Sequence, residues 1–109
     1  MLEPGDVVVV DFVGATRIKR RPAVVLATDL YHTHHPDVIL GVLTTQVSAA
    51  TTPTDFVLQD WSVAGLHAPS AFRAYVGTYV ASAVKGLGRL SDRDWQGVQA
   101  HLKLAVAVP

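Results

Sequence analysis

Arg21 and the pair Thr44-Thr45 are the residues of this chain best suited to hold a phosphate. Lys19-Arg20-Arg21-Pro22 runs straight into the apolar stretch Ala23-Val24-Val25-Leu26. Four of the nine basic residues, Arg17, Lys19, Arg20 and Arg21, fall within the five positions 17–21. A guanidinium is a planar fork of donors that matches two phosphate oxygens at once. Pro22 has no N–H to donate and reads as the first residue of a strand, so Arg21 is expected where a basic loop meets a rigid sheet. Val42-Leu43-Thr44-Thr45-Gln46 ends another apolar run with two hydroxyls and an amide, groups that can hydrogen-bond a phosphate or a base edge. The plain alternatives are a solvated basic turn and a pair of ordinary strand-end threonines.

Other residues invite weaker readings. His32-Thr33-His34-His35 with Asp37 looks at first like a metal site. His32 and His34 share a face only in an extended segment, and no cysteine or helically spaced glutamate completes a ligand set, so a solvated loop is expected and no metal. His67 is a loop histidine whose chemistry suits a general base. Asp6 and Asp11 lie an odd number of positions apart on one strand and point to opposite faces, which argues against a joint acid–base pair. Arg73, Tyr75, Gly77 and Tyr79 share one strand face, where the tyrosines would either stack nucleic-acid bases beside Arg73 or pack against a helix.

The elements that must position these groups are mostly strands. Residues 7–12 are valine-rich and read as a strand buried on both faces. Residues 13–20 read as a loop in which Gly14 allows a tight turn. Strands follow at 22–28, 38–45, 54–59, 72–81 and 87–90, with loops at 31–37 and 48–53. Residues 60–65 read as one helical turn, with Asp60 as its cap and Gly65 in the left-handed stop position. The one clear helix begins at the N-cap Ser91, with Asp92 and Asp94 complementing the helix dipole and Leu90 and Trp95 forming a hydrophobic staple. Its apolar stripe is Trp95, Val98, Leu102 and Ala105/Val106, and Gly97 weakens it by about 1 kcal/mol relative to alanine. These elements predict a mainly β protein with a C-terminal helix, a small barrel capped by that helix.

Length and composition narrow the function classes. The 109 residues read as a single domain, 1–109, and half of them are apolar, enough for one core without staples. With no cysteine, disulfides and thiolate metal sites are excluded. The formal net charge is zero, so a nucleic acid would have to be held by a local patch. There is no positive n-region and no stretch of membrane-spanning length, and the chain reads as complete, soluble and cytoplasmic.

The motifs taken together resemble the MazF/PemK family of type II toxin–antitoxin toxins. The matching segments are Gly5-Asp6-Val7, Lys19-Arg20-Arg21-Pro22-Ala23-Val24-Val25-Leu26, Val42-Leu43-Thr44-Thr45-Gln46, Asp60-Trp61 with Gly65-Leu66 and Pro69-Ser70, and Leu87-Gly88-Arg89-Leu90-Ser91. They occur in the family's order from Gly5 to about Val106. The resemblance implies an SH3-like barrel of the MazF/PemK/CcdB type, usually a homodimer, that cuts single-stranded RNA at specific sequences with no metal or cofactor and is held by a cognate antitoxin. Carried over by position, it implies Arg21 and Thr44 as the catalytic pair. Gln46 and Ser70 fall at structural or substrate-orienting positions, and Arg17, Lys19, Arg20, Thr45, Gln46 and Arg73 are the expected RNA contacts. The family does not use a histidine where His67 stands. Tyr75-Val76-Gly77-Thr78-Tyr79-Val80 lacks the charges often found around the family's central threonine. The alternatives are a CcdB-like gyrase poison, which shares the barrel, and a catalytically silent binder of RNA or antitoxin.

Overall fold

Strand β1, Asp6–Val13, is central to the fold, as its run of β-branched residues requires. Val7 packs into one cluster of buried side chains and Val8 and Val10 into another, so both faces of the strand are covered. The computed structural model of the chain describes residues 2–13 and 17–108; Gly14, expected at a tight turn, lies outside them. The other strands are β2 (Ile18–Val25), β3 (Asp37–Thr44), β4 (Phe56–Val57), β5 (Ala71–Val80) and β6 (Lys85–Arg89). They form one sheet in the order β4-β5-β3-β2-β1-β6, each neighbouring pair antiparallel. The sheet curls into a half-barrel, and helix α2, Asp92–Ala105, lies against one face.

One cluster, under α2, joins Val7, Val24, Leu43, Phe72 and Val98. The other joins Val8, Ala23, Val25, Val38 and Leu40, with Tyr31 and Tyr79 partly buried against it. Ser91 caps α2 as expected, its Oγ accepting from the Asp94 N–H at 3.3 Å. Asp94 does more than face the helix dipole. It is fully buried, and its carboxylate accepts from the backbone N–H groups of Gln59 at 2.9 Å and Asp60 at 2.7 Å. The apolar stripe holds at Trp95, Val98 and Leu102 but ends before Ala105 and Val106, which are exposed.

Several expected boundaries move. β2 begins at Ile18, so Lys19, Arg20 and Arg21 lie on a strand and not in a loop, and Pro22 is its fifth residue. The proline fits because β3 pairs only with Ala23, Val24 and Val25. The Val25 carbonyl accepts from Gly5 on the β1 side and the Leu26 N–H donates to Ile39 on the β3 side. By alternation the Pro22 nitrogen faces the unpaired flank on the β3 side, where no donor is needed.

The loop expected over 31–37 is helical in its first part: Asp29–His34 forms a short helix, α1, capped by Thr28, whose Oγ1 accepts from the Tyr31 N–H. The strand expected over 54–59 shrinks to two residues. Residues 60–65 make consecutive turns that end at Gly65 with φ +85°, as expected. The Asp60 side chain does not cap them: it accepts from Ser91 Oγ and from Arg93 Nε and Nη2, each at 2.6 Å.

Candidate active site

Arg21 stands opposite Val10 in the β1–β2 ladder. By strand alternation it shares a face with the buried Ala23 and Val25. Thr44 closes β3, opposite Ala71, on the face that carries Val38 and Leu40. Tyr75 on β5 lies on the face of Gly77 and Tyr79, which pair with Leu40 and Val38. The candidate groups are therefore the polar end of one apolar sheet face.

There Arg21, Thr44, Gln46, Arg73 and Tyr75 line a cavity of about 280 Å³. A second cavity of about 150 Å³ shares Arg21 and adds Arg20, Thr45, His67 and Ser70. A larger cavity, about 580 Å³, runs between α2 and the Pro4 and Leu26 segments; no residue of the candidate site lines it, and Thr28, Trp95, Gln99 and Lys103 bring polar groups to it.

Arg21 is half-buried, and its side chain makes no ion pair or hydrogen bond among the described residues. Its donors are uncommitted at the wall between two cavities, which suits an incoming anion. Thr44 Oγ1 accepts from the Gln46 N–H at 3.1 Å. Accepting this bond leaves the hydroxyl proton free to be offered to a phosphate oxygen.

Arg73 is held differently. Its Nε donates to Asp55 at 3.2 Å and its guanidinium lies 5.5 Å from the centre of the Tyr75 ring, within cation–π range. The Asp55 side chain is only 3% exposed. Burial opposes its ionisation, but hydrogen bonds from Thr52 and Arg73 outweigh it and hold the carboxyl below its ordinary value. Ala74 has φ 59°, an uncommon value for a residue with a Cβ, where the β3–β5 register shifts between Gly41 and Leu43. Such bulges re-aim neighbouring side chains. Tyr75 is 56% exposed over the cavity and is not packed against α2.

The remaining expected contacts spread more widely. Arg20 pairs with Asp11 at 3.1 Å across β1 and β2, so its charge is partly answered within the protein. Lys19 and Arg17 are exposed and unpaired among the described residues. Thr45 and Ser70 reach the second cavity, but Ser70 is buried and its Oγ donates to the Ala68 carbonyl, a structural bond. Asp6 pairs with Arg89 and not with Asp11.

The His32–Asp37 cluster is not gathered. Tyr31 stacks on His35 with ring centres 4.2 Å apart and donates its hydroxyl to Asp37, while both ring nitrogens of His32 are buried without a partner. Among the described residues no group of three histidine or acidic side chains could hold a metal ion. One residue of this region, Asp55, escaped the sequence reading. Asp55 carried no signal, since its partner Arg73 is far along the chain. His67 was noticed, but its place beside Arg21 is visible only once the Gly65 turn and β2 are set together.

Solved structures share this fold at low sequence identity. An endoribonuclease in complex with its cognate antitoxin from a mycobacterial species aligns over 100% of this chain and 98% of its own, with a TM-score of 0.80 and 17% identity. MazE-MazF from Deinococcus radiodurans aligns over 98% and 97%, with a TM-score of 0.78 and 16% identity. The Mycobacterium tuberculosis toxin MazF-mt6 aligns over 92% and 94%, with a TM-score of 0.74 and 19% identity. No curated protein sequence matches. The PemK-like, MazF-like toxin family of type II toxin–antitoxin systems matches residues 3–106, nearly the whole chain. With the arginine, threonine and helix-start motifs all in place on this curled sheet, the chain belongs to the PemK-like, MazF-like toxins.

Proposed function

We propose that this toxin is an endoribonuclease that cuts single-stranded RNA without a metal, with Arg21 and Thr44 at the scissile phosphate. The observation that carries the reading is that Arg21, unpaired among the described residues, lines one cavity with Thr44. The substrate supplies the nucleophile. Its 2′-oxygen bonds to phosphorus, the bond to the 5′-oxygen breaks, one proton leaves the 2′-hydroxyl and one is gained by the departing 5′-oxygen. Arg21 binds the two non-bridging oxygens, whose negative charge grows in the transition state. Thr44 donates its hydroxyl to the same phosphate. An arginine does not deprotonate in proteins, so Arg21 acts as an electrostatic stabiliser and not as an acid.

Around this centre Lys19 and Arg20 on β2, with Arg17 just before it, offer charge to the RNA backbone, while Thr45 and Gln46 offer hydrogen bonds. Tyr75, backed by Arg73, offers a ring for one base. Two of the similar solved structures are complexes, one with a cognate antitoxin and one of MazE with MazF. Here too the partner is a small antitoxin chain that covers this groove. The toxin acts as a homodimer in the cytoplasm, as a single domain; no helix among the described residues is long and apolar enough to cross a membrane.

Incubation with a long single-stranded RNA and a matched DNA in excess EDTA tests the reading. RNA alone should be cut, because only RNA carries the 2′-hydroxyl. Intact RNA would contradict it.

A further inference from the structure

From the second cavity we infer that His67 is the general base that takes the proton from the 2′-hydroxyl. The inference rests on the endoribonuclease reading and adds a residue and a proton path to it. Transesterification needs an acceptor for that proton, and the Arg21 and Thr44 pair has none. Arg20, Arg21 and Arg73 do not deprotonate, and threonine and glutamine bind no proton near neutral pH. Ser70 is buried and its hydroxyl is committed to Ala68. A neutral phenol is a hydrogen-bond donor and no ready proton acceptor, so Tyr75 does not serve. Neither nearby carboxylate serves. Asp55 is buried against Arg73, and Asp11 is engaged by Arg20 and lines a different cavity.

His67 is the one side chain lining either Arg21 cavity whose residue type exchanges a proton near neutrality. Its loop is held at both ends. Leu66 is buried and its N–H donates to the Trp61 carbonyl, Gly65 turns with φ +85°, and Ser70 is buried beyond it. His67 itself is exposed between these anchors, facing the cavity that it shares with Arg20 and Arg21. The imidazole accepts the proton as the 2′-oxygen closes on phosphorus. The imidazolium so formed faces the phosphate held by Arg21, and the 5′-oxygen takes its proton from water.

The test is single-turnover RNA cleavage in EDTA from pH 5 to 9 by the wild type, His67→Asn, His67→Ala with and without added imidazole, and Arg21→Ala. His67 is exposed, so its replacement leaves the fold intact. The wild-type rate is expected to rise with pH and then level, as a rate that depends on one deprotonated base does. His67→Asn should lose about 100-fold and the levelling. Imidazole should restore part of the rate of His67→Ala. If His67→Asn cleaves at the wild-type rate with an unchanged profile while Arg21→Ala is inactive, the inference fails and the endoribonuclease reading stands. If the wild type leaves RNA intact, both fail.

Discussion

Arg73 lies over the Tyr75 ring, 5.5 Å from its centre, and stays there because Asp55 anchors its Nε from behind. The arrangement fixes an exposed aromatic face at the rim of the Arg21 cavity. Tyr75→Ala should raise the dissociation constant for a 2′-O-methylated, uncleavable oligonucleotide about tenfold, the scale of one lost base stack, and Tyr75→Phe should restore it. Fluorescence anisotropy measures this. The unfolding midpoint should hardly move, since the ring is largely exposed.

Asp60 ties the turn before His67 to the start of α2 and sets an acid limit on stability. Arg93 and then Ser91 hold its carboxyl well below the usual carboxylate range, against the opposing effect of burial. A folded-state value below the unfolded one means that the contribution is present above about pH 4 and is lost as pH falls through the carboxylate range. Asp55 adds to the loss with the same sign. In urea titrations followed by circular dichroism, Asp60→Asn should be less stable than wild type by a constant amount between pH 7 and 5. The gap should narrow below pH 4.

Gly97→Ala should destabilise the protein, although alanine favours a helix by about 1 kcal/mol. A Cβ at Gly97 would overlap the Phe56 ring, which lies against the helix and tilted to the His101 ring at 5.1 Å between centres. Overpacking of this kind costs typically 1–3 kcal/mol, so the net loss should be about 1 kcal/mol, read as a lower urea midpoint at unchanged slope.

No stoichiometric zinc or nickel binding is expected at His32, His34 and His35. Tyr31 stacks on His35, and the His32 nitrogens are buried away from solvent. A calorimetric titration showing one tight ion per chain would contradict this arrangement.

The parts of the site that were legible in the sequence are those encoded locally. Arg21 and Thr44 stand at the ends of apolar runs, and Ser91, Leu90 and Trp95 announce a helix start by their spacing alone. The parts that were not legible depend on tertiary pairing. β2 extends back through Lys19 because β1 pairs with it, although exposed basic residues look like a loop. Helix α1 is six residues long and buries none of them, so it leaves no apolar period to read. The dipole role of Asp94 was a sufficient local explanation and hid its burial against the Gln59 and Asp60 backbone. Arg73 and Asp55 are joined by folding, not by spacing.

The most direct test of the central claim is the cleavage rate of Arg21→Ala beside wild type on one RNA in excess EDTA, with the unfolding midpoint of each protein measured in parallel. Arg21 is half-buried and unpaired among the described residues, so its loss should leave the midpoint nearly unchanged. The rate should fall about 100- to 1,000-fold, the scale of a lost transition-state donor. A well-folded Arg21→Ala protein that cleaves RNA at the wild-type rate would contradict the account.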